Sequence, residues 1–237
     1  MKTTFGASII CMDHLNFERE LKFLEEIKID TLHLDVMDGE FVPRYGIYPE
    51  IVEEMSQKSA LPMDLHIMTK NPLFTAKQFI DIDNITHISF HINGNEKNFN
   101  EISDFVRKND KLVGIVADLD SNISEISKLI SNGSADSVMF MGILPGVLMQ
   151  EHQPNKLINN VFQFFKDLKV SDDVFVQADG GVNFETLPKF ESVGINNFVC
   201  GTSTLFSGRN KKHEWEYNRE IFIKNFSKLK SLIKKEK

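Results

Sequence analysis

The stretch HLDVMDGEFVP, residues 33–43, sets how the rest of the chain is read. Its Leu, Val and Met suit a buried strand, yet it also carries His33, Asp35 and Asp38. An ionised carboxylate is costly to bury unless it is paired or bound to a metal. His33 and Asp35 are two residues apart, so in a strand both side chains point to one face. Asp38 precedes Gly39 and equally suits the start of a turn out of the strand.

Strand-like runs like this one recur along the whole chain. They are FGASIICM from Phe5, TLHLDVM from Thr31, MDLHIM from Met63, HISFHI from His87, LVGIVAD from Leu112, SVMFMGI from Ser137, VFVQAD from Val174 and NNFVCG from Asn196. Most read as continuously apolar, as parallel strands covered on both faces do. Helical spacing appears between them, over residues 15–27 (Leu21, Leu24, Ile27), 102–106 and 123–130. Gly133 suits a helix stop. A last helix is predicted from Glu214 to Ile233, with Trp215, Phe222, Phe226 and Leu229 as its apolar side. Eight strand–helix alternations over about 230 residues predict one α/β domain spanning residues 1–237, a (β/α)8 TIM barrel. A doubly wound open sheet would usually carry G-x-G-x-x-G after its first strand, and here that turn has only Gly6.

Composition narrows the function classes. The 237 residues include 27 Lys and Arg against 34 Asp and Glu, a net charge of -7. This argues against a nucleic-acid partner, which calls for a basic stripe. The lysines at 228, 230, 234, 235 and 237 are expected on a solvated helix face. No apolar run approaches the roughly 20 residues of a membrane span, so no membrane partner is expected. The opening MKTTFGASII is too short and polar for a signal peptide. The two cysteines, Cys11 and Cys200, fall in apolar runs and point to a reducing, cytoplasmic setting.

In a barrel the active site lies at the C-terminal strand ends. There the sequence puts His33, Asp35 and Asp38 on strand two and Asp64 and His66 on strand three. His91, Asp118 and Asp179 end strands four, five and seven. A single imidazole at a strand end is ordinarily a core histidine. Two His and two Asp on one rim form a mixed N/O set suited to zinc or iron. Met37, Met68 and Met141, each near the end of a different strand, are core filler taken singly. At matching heights they would form a polarizable collar without acids or donors. Gly180-Gly181 and Gly201-Thr202-Ser203, at the ends of strands seven and eight, offer backbone N–H groups where barrels bind phosphate.

With these residues in view, LHLDVMDGEFVP, DLHIM and ADGGVN resemble the ribulose-phosphate 3-epimerase family, as do SIICMD and, in outline, MGILPG. The resemblance keeps its order from Ser8 to Phe206. It implies a TIM barrel that inverts C3 of a sugar phosphate through an enediolate. It further implies one divalent metal on His33, Asp35, His66 and Asp179, zinc or iron(II). Asp35 and Asp179 would also be the two acid/base groups. Ser8, Met37, Met68 and Met141 would contact the substrate, and Gly146 would join the phosphate-binding turns. Homo-oligomers are usual in the family.

Residues 145–150, Pro-Gly-Val-Leu-Met-Gln, lack two later glycines of the family's loop, and Asp118-Leu119 stands where Asn-Pro is usual. CMD at residues 11–13 and GTSTLF at 201–206 lean toward allulose-6-phosphate 3-epimerases, while DGGVN leans back to ribulose. The leading expectation is epimerisation of D-ribulose 5-phosphate to D-xylulose 5-phosphate. The alternatives are D-allulose 6-phosphate as substrate, or a silent barrel that only binds a ligand or partner. A decarboxylase or synthase would need a catalytic Lys at a strand end, for which Lys70 is the nearest candidate.

Overall fold

The computed structural model describes residues 2–95, 97–147, 150–168, 174–209 and 215–233. Eight parallel strands close into one ring in sequence order. They are β1 (Thr4–Ser8), β2 (Thr31–Met37), β3 (Met63–Met68), β4 (Ile85–His91), β5 (Leu112–Ala117), β6 (Ser137–Met141), β7 (Phe175–Asp179) and β8 (Asn197–Cys200). Helices α1 (Phe17–Ile27), α2 (Pro49–Lys58), α3 (Pro72–Phe79), α4 (Phe99–Lys108), α5 (Ile123–Ser131), α6 (Pro154–Asp167), α7 (Leu187–Ser192) and α8 (Trp215–Leu232) alternate with them. The (β/α)8 expectation therefore holds. Pro49, Pro72 and Pro154 open α2, α3 and α6 at a first-turn position, where proline's missing N–H costs nothing.

Two boundaries differ from the sequence reading. The first strand stops at Ser8, and residues 9–11 and 14–16 form 3-10 turns before α1 starts at Phe17. Cys11 is therefore a half-buried turn residue, while Cys200 lies in β8 with its thiol pushed up to about 12 by burial. On α8, Phe222, Phe226 and Leu229 are buried as expected. Glu214, the Trp215 side chain and lysines 234, 235 and 237 lie outside the described residues. No helix among the described residues is long and apolar enough to cross a membrane.

The strands are not apolar on both faces. Leu32, Leu34 and Val36 of β2 join the main core under the helices, as do Leu65 and Ile67 of β3 and Ile88 and Phe90 of β4. The alternate residues turn into the barrel, and many are polar: His33 and Asp35, Asp64 and His66, Ser89 and His91, Ser137, Gln177 and Asn197 are all buried. The period-2 rule thus runs in full, with a greasy outer face and a hydrogen-bonded interior. Ladder register stacks the interior in layers. Asp35 lies beside His66 and, two residues further along the strands, Met37 beside Met68; on the other side of the ring Met141 lies beside Asp179.

Candidate active site

The upper layers open into a cavity of about 220 Å³ at the C-terminal ends of the strands. Ser8, Asp35, Met37, Met68, Met141, Gly146, Asp179, Gly180, Gly181, Gly201, Thr202 and Ser203 all line it. His33 and His66 are fully buried behind that lining, in contact with its Asp35 and Asp179.

Four side chains from β2, β3 and β7 converge on one point. His33 Nε2 is 3.4 Å from Asp35 Oδ1 and 3.8 Å from Asp179 Oδ2. His66 Nδ1 is 3.3 Å from Asp35 Oδ1 and 3.5 Å from Asp179 Oδ2. One donor atom from each residue lies within 4.8 Å of the other three. A tetrahedron with metal–ligand bonds of 2.0–2.1 Å has edges of about 3.3 Å, so the set fits a divalent metal. The buried His33 Nε2 meets hydrogen-bond geometry with no group among the described residues, an orphaned polar atom that a bound metal would satisfy.

Electrostatics agree with this geometry. Burial alone would depress the His33 imidazolium, but Asp35 and Asp64 outweigh it and hold its pKa well above the ordinary value. His66 is likewise raised against burial by Asp179 and Asp35. Burial would raise the Asp35 carboxyl, yet His33 and His66 pull it well below the carboxylate range. Among these side chains alone, protons on the imidazoles balance the carboxylates, and those protons must leave when a cation takes their place.

Other polar residues play different parts from those their strand positions suggest. Asp64 is not on the rim. It sits two residues below His66, accepts from Gln177 Nε2 at 2.7 Å and pairs with His33 Nδ1 at 3.0 Å, so it orients a prospective ligand. Against the cost of burial, those partners hold its carboxyl at about 2. His91 stands behind His66, and Asp118 behind His91. Asp38 confirms the turn reading: its carboxylate accepts from the N–H groups of Glu40 and Phe41 at 2.8 Å and of Lys70 at 2.7 Å. The Lys70 amine is exposed and pairs with Glu40, so it is no barrel-mouth catalyst.

Gly180 and Gly181 line the cavity with positive φ, near +76° and +74°, a conformation that a side-chain-bearing residue rarely adopts. A Cβ on Gly180 would fall 2.3 Å from Ile143. In the altered loop after β6, Gly146 packs on Val42, and the Gln150 side chain bonds the backbone of Leu144 and Val147. Leu148 and Met149 lie outside the described residues. The sequence reading missed Arg44 and His152, which also line the cavity. Both come from loops, where no periodicity announces an inward side chain.

A closed barrel with a small cavity, apolar in most of its lining but carrying Asp35 and Asp179 of four convergent donors at the C-terminal strand ends, defines an enzyme of the TIM-barrel class. The fold alone is shared widely. The tryptophan synthase A-subunit of Pyrococcus furiosus superposes with a TM-score of 0.69 at 15% identity, over 97% of this chain and 98% of that one. Sequence is more discriminating. Residues 4–206 match the ribulose-phosphate 3 epimerase family. The ribulose-phosphate 3-epimerase of Bacillus subtilis (strain 168) is 30% identical over 86% of this chain and 93% of its own. Those of Helicobacter pylori (strain J99) and Methanocaldococcus jannaschii are 28% and 27% identical, over 86% and 94% of this chain and 91% and 92% of their own. The chain belongs to the ribulose-phosphate 3-epimerase family and is an isomerase. That membership stands against the silent-barrel alternative, and nothing in it favours the allulose branch.

Proposed function

We propose that the chain is a metal-dependent 3-epimerase that interconverts D-ribulose 5-phosphate and D-xylulose 5-phosphate. The observation that supports this most is the convergence of His33, Asp35, His66 and Asp179 within 4.8 Å beneath a small cavity. One divalent metal, zinc or iron(II), held by those four would supply Lewis acidity toward the ketose oxygens.

The chain's own residues supply the rest. Asp35 and Asp179 approach the cavity from β2 and β7, strands separated by β1 and β8 in the ring. One takes the C3 proton from one face while the other delivers a proton to the opposite face, which inverts the centre. Ser8 Oγ donates to Asp35 Oδ2 at 3.2 Å and fixes that carboxylate's rotation. Met37, Met68 and Met141 give the enediolate a polarizable wall without protons to donate. Backbone N–H groups near Gly180, Gly181, Gly201, Thr202 and Ser203, with Gly146 beside them, suit the phosphate. The same reading makes the protein a cytoplasmic homo-oligomer, the second part of which light scattering checks.

The test is NMR of zinc- or iron(II)-loaded protein in D2O with D-ribulose 5-phosphate and D-allulose 6-phosphate as substrates. Fast deuterium incorporation at C3 of the pentose is expected. Metal-replete protein that exchanges C3 of neither sugar contradicts the reading.

A further inference from the structure

His66 presents Nδ1 to Asp35 and Asp179 and turns Nε2 away, 2.9 Å from His91 Nε2. The other His91 nitrogen, Nδ1, lies 2.9 Å from Asp118 Oδ1. By hydrogen-bond geometry neither His91 Nδ1 nor Asp118 Oδ1 has a partner among the described residues, so the 2.9 Å approach is a close ion-pair contact between two buried atoms that otherwise stand alone. Both rings are buried and stacked, their centroids 5.1 Å apart at 22°, and Phe41 lies 5.1 Å from His91 as well. Neither ring is free to turn.

This chain of contacts dictates where the protons sit. An ionised carboxylate only accepts. His91 Nδ1 must therefore carry a proton, and a neutral His91 then has a bare lone pair at Nε2. Two imidazole nitrogens 2.9 Å apart need one proton between them, so His66 Nε2 donates. A neutral His66 is left with its Nδ1 lone pair facing Asp35 and Asp179. Without an acceptor at position 118, His91 is free to hold its proton on Nε2, and His66 then carries its own proton on Nδ1, the wrong nitrogen for a metal.

We propose that Asp118 is a positioning residue that acts through His91 to fix the His66 tautomer and so readies Nδ1 to bind the divalent metal. The inference rests on the metal reading of the site given above. Zinc affinity, measured by chelator competition, tests it on wild type, Asp118→Ala and Asp118→Asn, with circular dichroism as the control for folding. Removing a partner that orients a ligand typically weakens metal binding by about 10–100-fold, and that loss is expected for Asp118→Ala. Should the Ala variant not fold, Asp118→Leu, closer in size, takes its place. The amide carbonyl of Asp118→Asn can accept the same proton and should restore most of the loss. In zinc-loaded wild type, 15N NMR should find the His66 proton on Nε2. A folded Ala variant that binds zinc as tightly as wild type overturns the proposal, as does an Asn variant no better than Ala. Wild-type protein that binds no zinc overturns the metal reading and this inference with it.

Discussion

At the residue scale, the His33 imidazole is held between two carboxylates, with Asp64 on Nδ1 at 3.0 Å and Asp35 facing Nε2 at 3.4 Å. Despite burial, those charges keep its pKa well above the usual histidine value of about 6.5. In the metal-free site those charges favour the protonated imidazole of His33, and Asp179 and Asp35 favour that of His66. A metal needs the bare nitrogens, so zinc binding should expel these protons. Isothermal titration in buffers of differing ionisation enthalpy should report protons released on zinc binding near pH 7. The release should shrink as pH rises through the raised pKa values, and affinity should rise with it. A titration that releases no proton at pH 7 contradicts this electrostatic account.

At the element scale, much was legible because period and register are local. The two-residue spacing of His33 and Asp35 places both inside the barrel whichever strands flank β2. The alternation itself is harder to see in the sequence. Leu, Val and Ile on the outer face dominate the impression, so the polar inner face looks like a few interruptions. Height along a strand was harder to judge. Sequence puts Asp64 a layer below His66 but does not say which layer reaches the site, and the β2–β3 register decides this by setting Asp64 opposite His33 and His66 opposite Asp35. Partners such as Gln177 with Asp64 are 113 residues apart and emerge only when the ring closes. The loop after β6 departs from its family's glycine pattern, and in its place the Gln150 side chain bonds the backbone at Leu144 and Val147. If that brace shapes the cavity wall, Gln150→Ala should raise KM for the sugar phosphate more than it lowers kcat. An exposed loop change of this kind should alter stability by only about 0.5 kcal/mol. An unchanged KM would remove the brace from the account.

At the scale of the whole molecule, closure of the ring is what makes the site, since its donors come from β2, β3 and β7. The seam between the ends of the chain carries its own fastening. Arg209, beyond β8, donates from Nη1 to both oxygens of Glu20 on α1 at 2.8 Å, and the Glu20 side chain is fully buried. Burial raises the Glu20 carboxyl, while the Asp13 N–H and Arg209 oppose the shift. Arg209→Met strands a buried carboxylate and should cost about 3–5 kcal/mol in a denaturant titration. Adding Glu20→Gln should recover part of that, and a loss below about 1 kcal/mol, the range of an exposed pair, would mean the seam is not held this way. The function drawn from the closed barrel rests on two carboxylates working on either side of C3. The most direct measurement of that claim is deuterium exchange at C3 of D-ribulose 5-phosphate and D-xylulose 5-phosphate in D2O, with metal-replete wild type, Asp35→Asn and Asp179→Asn. Both variants should lose epimerisation, by at least the 10²–10⁴-fold typical of a general acid–base group. Each should keep slow exchange on one epimer only, and the favoured epimer should differ between the two. Metal-replete Asp179→Asn protein that epimerises at the wild-type rate would contradict the account.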